Sequence, residues 1–413
     1  MLTVEEALEI VLGHARPLAP VSLPLRESLG RVLAQDVVAA EDLPAWPNSA
    51  MDGYAVQAAS TPGASRQAPV RLEVIGQIGA GQVFAGRVGP GQALKIMTGA
   101  PVPDGADSIV IVEETDGAAS GSVEIYKPAA AGDHVRPRGE EVHAGELVLA
   151  PGRTLRPAEI GMLATLGHAT VRVHEPPRVA ILATGDELRE PGEPLAPGTI
   201  RNSNAYALAA QVATAGAIPV PLGIARDTPE ELLSKMRRGL EEAHVLVSSG
   251  GVSMGEFDFV ADVMRALEAT VHFDAVALAP GKPTTFATAG PRLLFGLPGN
   301  PVSSMVTFEL FVRPALRKMA GATRLFRPRV EAELAVDFKK KPGRRTYVRC
   351  VLTAGPAGYR LTPTGTQSSG VVRSMALANA LAIVEAPVDR LPAGSRLPAI
   401  LLDFPEDAAL PEA

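Results

Sequence analysis

Apolar and polar positions fall into blocks between residues 177 and 322, where short apolar runs end abruptly in loops rich in glycine, proline and serine. The runs that predict strands are Arg178 to Leu182, His244 to Val247, His272 to Leu278 and the run that begins at Leu293. The helices predicted between and after them cover 204–215, 229–242, 258–267 and 302–319. Strands that alternate with helices are normally parallel, so this region is predicted to be a doubly wound, mostly parallel α/β domain.

The flanking regions carry other patterns. Residues 1–12 place apolar side chains on one helical face, and Thr3 with Glu6 forms a capping-box pattern, which predicts an opening helix. Short alternating segments predict a β-rich unit before the α/β domain and a small β domain after it. The predicted domains are 1–45 together with 140–176 as a discontinuous N-terminal linking domain, 46–139 as an inserted β-rich domain, 177–322 as the α/β domain and 323–413 as the C-terminal β domain.

The loops that end the apolar runs are suited to binding anions. Gly296 and Gly299 permit backbone angles closed to other residues, Pro298 and Pro301 fix φ, and Pro301 suits the first turn of the following helix. Such a loop directs the free N–H groups and the positive dipole of a helix N-terminus toward one place. The loop at 248–253 repeats the arrangement. Because ligands bind at the carboxyl ends of parallel strands, the two loops predict one anion site.

Composition narrows the function further. A net charge of -6 over 413 residues gives no bulk attraction to nucleic acid or to anionic membranes, so neither is predicted as a partner. Cys350 is the single cysteine, which excludes an intrachain disulfide, and the histidines show no metal-ligand spacing, so no zinc site is predicted. The first residues are acidic where a signal peptide is basic, and no apolar run approaches the ~20 residues that span a bilayer. A cytoplasmic location is predicted.

Six motifs, taken together and in order, resemble the molybdopterin molybdenumtransferase family, to which the C-terminal domain of gephyrin also belongs. They are Asn48 to Ala55 (NSAMDGYA), Ile96 to Pro101 (IMTGAP), Thr184 to Leu188 (TGDEL), Ser248 to Ser253 (SSGGVS), Pro280 to Pro283 (PGKP) and Gly296 to Pro301 (GLPGNP). One motif alone is weak, whereas their joint occurrence is specific. The resemblance implies that the α/β domain is of the molybdopterin-binding type and that the C-terminal domain is barrel-like.

The resemblance also implies the last step of molybdenum cofactor synthesis. In that reaction adenylylated molybdopterin and molybdate are the substrates, AMP is released, and molybdenum stays on the dithiolene. The family implies Mg²⁺ as cofactor and an elongated homodimer, in which the α/β and C-terminal domains of one subunit face Asp52 and Thr98 of the other. Contacts with the adenylyltransferase and with molybdoenzyme acceptors are candidate interactions. Molybdate and tungstate are dianions of similar size, so the sequence does not distinguish them.

Particular residues follow from the same resemblance. The implied substrate-binding positions are Ser248, Gly250, Gly251, Ser253, Lys282, Pro298, Asn300, Pro301, Arg349 and Ser369. The implied catalytic positions are Asp52, Thr98, Glu187, Asp227 and Asp258. The implied magnesium ligands are Asp186, Glu187, Asp227 and Asp258, since Mg²⁺ prefers hard oxygen ligands. Structural interpretations stay open beside these: the glycines as turn formers, Asp227 as an exposed acid or a helix cap, Thr98 as an ordinary strand residue, and Ser369 as part of a simple turn.

Some positions depart from the family pattern, and other functions share parts of it. Ala279 stands where a lysine is frequent, Glu141 where aspartate is usual, and Asn202 where aspartate is common, which leaves details of molybdate and magnesium coordination open. A molybdopterin adenylyltransferase shares the α/β domain but typically lacks the flanking β domains and the NSAMDGY segment. A gephyrin-like scaffold would use a receptor groove and usually a fused second module, for which this chain has no room. Measuring AMP release distinguishes the three functions.

Overall fold

The computed structural model describes residues 1–250, 259–356 and 358–403, which form two compact units. The first unit combines Met1–Gln35, Pro151–Ala164 and the chain from His168 onward, and the second combines Asp36–Ala150 with Thr165–Gly167. In the described residues, no helix has the length and apolar composition needed to cross a bilayer. The division into four domains stays a prediction.

The opening helix forms as its capping box predicts. The Thr3 hydroxyl accepts from the Glu6 N–H at 3.2 Å, and the Glu6 carboxylate accepts from the Thr3 N–H at 2.8 Å. The α-helices are α1 Val4–His14, α2 Pro157–Thr165, α3 Ser203–Thr214, α4 Pro229–Glu242, α5 Phe259–Ala266, α6 Pro301–Thr307, α7 Arg313–Met319 and α8 Val372–Ala376. A π-helical turn, Phe308–Val312, joins α6 to α7, so the helix predicted over 302–319 is continuous. Short 3₁₀ turns lie at Leu25–Glu27, Ala58–Ser60 and Val112–Glu114.

The second unit is built around an all-β sheet. The first eleven strands of the chain are β1 Pro20–Pro24, β2 Val37–Val38, β3 Asn48–Ser49, β4 Gly53–Val56, β5 Val70–Ile78, β6 Gln92–Ile96, β7 Ser108–Ile111, β8 Gly121–Ile125, β9 Val135–Arg136, β10 Leu147–Leu149 and β11 Thr170–His174. The sheet of the second unit has the order β7-β4-β6-β5-β8, with β5 and β6 parallel and the other neighbours antiparallel. The remaining short strands pair as β1 with β11, β2 with β10 and β3 with β9.

A second sheet forms the α/β part of the first unit. Its region contains β12 Arg178–Thr184, β13 Leu188–Arg189, β14 Ile200–Arg201, β15 Ile218–Ala225, β16 Val245–Ser249, β17 Thr270–Phe273, β18 Leu278–Ala279, β19 Thr285–Ala289 and β20 Arg292–Leu297. The strand order is β15-β12-β16-β20-β19-β17, and the first four strands are parallel. Ile181 packs in the cluster that contains Leu208 of α3, whereas Leu182 packs in the cluster that contains Leu232 of α4. Helices therefore cover both faces, and the doubly wound, mostly parallel fold is confirmed.

One predicted strand of this sheet is divided in the structure. The apolar run 272–278 forms the end of β17 and the start of β18, and β17 is antiparallel to β19 at the sheet edge. The chain leaves the sheet between them because its backbone donors have other partners: the Val276 N–H donates to Lys282 O, and the Ala277 N–H donates to Leu2 O. Apolar pattern alone does not say which sheet such a run joins.

The C-terminal region is a closed barrel. Its strands are β21 Arg329–Leu334, β22 Phe338–Lys339, β23 Arg345–Gly355, β24 Gly358–Pro363, β25 Ala380–Val384, β26 Arg390–Leu391 and β27 Arg396–Leu401. The order β23-β24-β21-β27-β25 closes because β25 also pairs with β23, as the resemblance implies. Strand β18 adds to the edge of β23 and ties the barrel to the α/β region. Cys350 is buried inside, and this burial raises the pKa of its thiol to about 12.

Candidate active site

Four parallel strands of the α/β sheet end at the same edge, and each is followed by a loop that the sequence predicts to be functional. Asp227 follows β15, the segment 185–187 follows β12, Gly250 follows β16, and the segment 298–301 follows β20. Backbone hydrogen bonds join neighbouring loops: the Gly185 N–H donates to Ala225 O at 3.2 Å, and the Gly250 N–H donates to Leu297 O at 3.3 Å. The structure therefore brings these loops together, as ligand sites of such sheets require.

The loop after β16 needs glycine where it begins. Gly250 has φ +87°, and a Cβ atom there would lie only 2.6 Å from Thr184 O. The backbones of the two loops approach closely enough to exclude any side chain. Ser248 is 1% exposed and its hydroxyl donates to Phe295 O at 3.4 Å, so its contact with substrate stays a prediction. Gly251, Ser253 and Asp258 lie outside the described residues.

The loop after β20 is held by a side chain from helix α3. The Asn204 amide donates to the Ser249 hydroxyl at 2.7 Å and to Gly299 O at 2.7 Å. The Ser249 hydroxyl in turn donates to Pro298 O at 3.4 Å. Asn300 is the N-cap residue of α6, and Pro301 occupies the first turn of that helix, the position that the sequence predicts for this proline. The loop ends at a helix N-terminus, with its backbone donors at the sheet edge.

Three carboxylates lie at the same edge. Desolvation raises the pKa of Asp227, and the negative charges of Asp186 and Glu187 raise it further. Asp186 also has Arg226 nearby, with Arg226 Nη1 3.7 Å from Asp186 Oδ1, and both side chains are exposed. These acids influence one another, but within the described ranges no three carboxylate, imidazole or thiol groups converge closely enough to hold a metal by themselves.

Lys282 reaches this edge through the antiparallel strand β19. The first residue of β19, Thr285, pairs with Gly296 near the end of β20, so the loop 280–284 emerges beside the loop after β20. Lys282 is exposed, and its backbone carbonyl accepts from the N–H groups of Val276 and Thr284. The backbone is therefore fixed while the ammonium group stays in solvent.

The barrel contributes a loop to the same place. The Val302 N–H, in the first turn of α6, donates to Ser369 O at 3.1 Å. Arg349 is 1% exposed and lies beneath this loop, where its guanidinium donates to Ser368 O at 3.2 Å and to the Ser374 hydroxyl at 3.3 Å. Burial lowers the pKa of Arg349. The buried guanidinium of Arg349 therefore holds the loop that contains Ser368 and Ser369 in place through hydrogen bonds.

Asp52 and Thr98 meet within the second unit. The Thr98 N–H and the Thr98 hydroxyl both donate to Asp52 Oδ1, at 2.7 and 2.8 Å. These hydrogen bonds hold the pKa of Asp52 below its ordinary value. The structure thus joins two predicted catalytic residues that are separated by 46 positions in the sequence.

Comparison with known proteins agrees with this arrangement. The chain matches the MoeA N-terminal region (domain I and II) over residues 2–167, the probable molybdopterin binding domain over 180–318, and the MoeA C-terminal region (domain IV) over 331–402. A molybdopterin molybdenumtransferase of Staphylococcus aureus (strain Mu50) is 36% identical over 398 residues, which cover 96% of this chain and 92% of that protein. The enzyme of the same name from Staphylococcus epidermidis is 35% identical over 402 residues, covering 97% and 96%.

Solved structures give the same result. Two crystal structures of a molybdopterin biosynthesis MoeA protein from Pyrococcus horikoshii match with TM-scores of 0.83 and 0.81, at 29% and 31% identity. They cover 97% and 98% of this chain and 100% of theirs. The chain belongs to the molybdopterin molybdenumtransferase (MoeA) family. The predicted family and enzyme class are confirmed, and the protein belongs to molybdenum cofactor biosynthesis.

The three departures from the MoeA pattern have distinct structural settings. Asn202 is 2% exposed and is the N-cap of α3, where its side-chain oxygen accepts from the Ala205 N–H at 3.3 Å, so it keeps the acceptor that an aspartate would supply. Ala279 lies in β18 and pairs with Thr346 of the barrel. Glu141 is exposed in the second unit, and its N–H donates to Leu43 O.

Asn204 was not predicted as a site residue of this MoeA protein. Its sequence signal is weak, because an asparagine in the first turn of a helix is usually read only as a candidate cap. The informative feature is its position: α3 begins at the sheet edge where the four loops meet, so a polar side chain in its first turn reaches the end of β16 and the loop after β20.

Proposed function

We propose that this protein transfers molybdenum from molybdate to adenylylated molybdopterin, with Mg²⁺-dependent release of AMP, as the last step of cofactor synthesis. The observation that carries the proposal is the convergence of the four strand-end loops with Lys282 and with the carboxylates of Asp186, Glu187 and Asp227. A substrate with a pyrophosphate and a terminal phosphate needs N–H donors, a cation and acids that bind a divalent metal in one place.

An unpaired hydroxyl supports a ligand at this edge. Thr184 ends β12 and is 5% exposed, and within the described parts of the chain its Oγ1 has no hydrogen-bond partner. A buried hydroxyl without a partner costs about 1–3 kcal/mol, so a ligand that supplies the missing hydrogen bond would gain binding energy there. A phosphate oxygen of the substrate would satisfy it.

The acids present are compatible with Mg²⁺. This ion is usually held by one or two protein carboxylates together with substrate phosphates and water, so a closed cage of protein ligands is not needed. Asp227 with Asp186 or Glu187 would hold it, and a bound cation would offset both the desolvation of Asp227 and the neighbouring negative charges, which together raise its pKa. When bound, Mg²⁺ supplies charge neutralisation on the phosphate oxygens.

The chain's own groups then have separate tasks. Gly250, which carries no side chain, would let phosphate oxygens approach the backbone, the 298–301 loop would bind them through backbone donors, and Lys282 would add a positive charge. Ser369 and the loop supported by Arg349 would close the site on the barrel side. Asp52, ionised and oriented by Thr98, would act on the same substrate from another subunit of a homodimer.

The test is AMP formation from adenylylated molybdopterin and molybdate, measured against Mg²⁺ concentration. We expect AMP release that requires Mg²⁺ and that matches molybdenum insertion in amount. Formation of adenylylated molybdopterin from ATP, without AMP release from it, would instead show an adenylyltransferase. Absence of both activities would contradict the proposal and favour a scaffold.

The shared site has its own test. Asp52→Asn and Glu187→Gln are each expected to be inactive, and mixed dimers of the two should regain about a quarter of wild-type activity, since half the dimers carry one intact site. No recovery in verified mixed dimers would contradict a site shared between subunits.

A cytoplasmic location and contacts with the adenylyltransferase and with molybdoenzyme acceptors complete the proposal. The single cysteine, a buried thiol with a raised pKa, suits a reducing compartment. Co-purification of either partner at native concentration would support these contacts.

A further inference from the structure

We propose that Asn204 is a positioning residue that fixes the 298–301 loop against the end of β16 and so sets the spacing of the donors that bind the substrate phosphates. The inference rests on the proposed function of these loops. It assigns to α3, which none of the predicted site residues occupies, a direct part in shaping the site.

The contacts leave no freedom in how the Asn204 amide is oriented. Its partner on the 298–301 loop is the carbonyl oxygen of Gly299, at 2.7 Å, and a carbonyl can only accept. The side-chain nitrogen must therefore face Gly299. Its second hydrogen is directed to Ser249 Oγ, also at 2.7 Å, so one NH₂ group uses both donors, one on the end of β16 and one on the loop after β20.

The contact continues through Ser249. This residue is 3% exposed, and its hydroxyl donates onward to Pro298 O at 3.4 Å. Asn204, Ser249 and the Pro298–Gly299 backbone thus form a closed set of hydrogen bonds between α3, β16 and the loop after β20. Because these hydrogen bonds share donor and acceptor groups, the loss of one of them is expected to weaken the others.

The 298–301 loop is attached on its other side by different contacts. The Val302 N–H donates to Ser369 O and the Ser304 N–H donates to Asn300 O, both downstream of Gly299. Gly299 itself is exposed. Without Asn204, Gly299 loses its side-chain tether and the contact of Pro298 with Ser249 loses its support, while the helix that follows keeps its own hydrogen bonds.

Because the following helix keeps its own hydrogen bonds, substitution of Asn204 can distinguish a role in positioning the loop from a role in stabilising the fold. Removing the tether should leave the core of the α/β region intact, because Leu208 and Val212 on the same helix supply its packing. It should weaken binding and reaction, because the phosphate donors lose their fixed spacing. We expect the KM for adenylylated molybdopterin to rise roughly tenfold and kcat to fall by a similar factor, a size typical of lost hydrogen bonds to fixed donors.

The experiment compares Asn204→Asp, Asn204→Ala, Ser249→Ala and the Asn204→Ala/Ser249→Ala double variant. Asn204→Asp keeps the shape but places an acceptor against Gly299 O, so it should be the most impaired. Tyr206→Phe is the control, because it removes from the same helix one hydrogen bond, to Glu190 at 2.8 Å, outside the network. KM and kcat for AMP release, a binding titration and the melting temperature are measured for each.

The inference is supported if Asn204→Asp loses activity with a wild-type melting temperature, and if the two alanine substitutions together cost less than the sum of their separate costs. It is overturned if the Asn204 variants match Tyr206→Phe in KM and kcat, or if their loss of activity only follows a loss of stability. Wild-type protein that releases no AMP would overturn the proposed function itself. That outcome is distinct from an active wild type whose Asn204 variants keep full activity, which would overturn only the role of Asn204.

Discussion

Thr98 donates two hydrogen bonds to a single carboxylate oxygen of Asp52, one from its backbone and one from its hydroxyl. Both favour the charged form and lower the pKa of Asp52. Because both bonds go to Oδ1, the second oxygen, Oδ2, keeps its lone pairs for another partner. The pair therefore presents an oriented, ionised carboxylate.

Thr98→Val tests this pair, because it keeps the side-chain volume and the backbone donor and removes the hydroxyl donor. We expect the pKa of Asp52 to rise toward its ordinary value. If AMP release needs ionised Asp52, then lowering the pH should reduce the rate of AMP release at a higher pH in the variant than in the wild type. The measurement is the pH dependence of kcat/KM, with Thr98→Ser as the control that retains the hydroxyl. If kcat/KM decreases over the same acid pH range in all three proteins, the charge of Asp52 has no role in the reaction.

Glu187→Gln tests the acidic edge, since it keeps shape and removes charge. We expect the substrate to bind at least as well, because repulsion against phosphate falls, while AMP release and molybdenum insertion collapse together. The pKa of Asp227 should also fall, since one of the negative charges that raise it is gone. AMP formation against Mg²⁺ concentration, with a binding titration, checks this. Normal AMP release with unchanged Mg²⁺ dependence would show that Glu187 is an exposed loop acid without a part in the reaction.

Lys282→Ala should weaken binding of adenylylated molybdopterin by roughly 1.5–3 kcal/mol, because a charge-assisted contact with phosphate is lost. The melting temperature should not change, since the side chain is exposed. Lys341→Ala, which removes an exposed lysine from a barrel loop, is the matched control. Calorimetry that finds equal affinity for both variants would refute the assignment.

Glu159 offers a prediction on stability. It is 3% exposed in α2 and accepts hydrogen bonds from Arg156 and Arg153, which lower its pKa from 4.5 to about 2. A lowered pKa contributes stability that is complete above pH 4.5 and is lost as the pH falls toward 2. Glu159→Gln should lower the melting temperature at neutral pH and flatten its decrease over that acid range. Parallel melting curves against pH for wild type and variant would disprove the linkage.

The sequence predicted those parts of the fold where a single run of residues determines the outcome. An apolar run that stops at glycine and proline defines β12, β16 and β20 and the loops after them, and the capping box defines α1. Strand β15 escaped prediction because it is only partly buried and contains Pro219 and Pro221, which suit an edge strand but break the usual pattern. Its loop carries Asp227, which the resemblance alone supplied.

The candidate site was predictable residue by residue only where motifs exist. Relations between distant segments were not: the double hydrogen bond from Thr98 to Asp52, the placement of Arg349 beneath the barrel loop, and the bridge from Asn204 each depend on how separate elements pack. Contacts of this kind do not produce a periodic pattern of residue types in the sequence. They follow from tertiary geometry, which decides which polar side chains meet.

The chain leaves the first unit after Gln35 and returns to it at Pro151, and the segments on the two sides of this long excursion lie side by side. The Leu33 N–H donates to Arg153 O at 2.9 Å and the Gly152 N–H donates to Leu33 O at 2.8 Å, so the strands that lead to Gln35 and away from Pro151 are hydrogen-bonded partners. Residues 36–150 are thus an insertion whose two ends join adjacent, hydrogen-bonded segments of the first unit. A short turn from Gln35 to Pro151 in place of residues 36–150 is therefore expected to leave both hydrogen bonds of Leu33 intact.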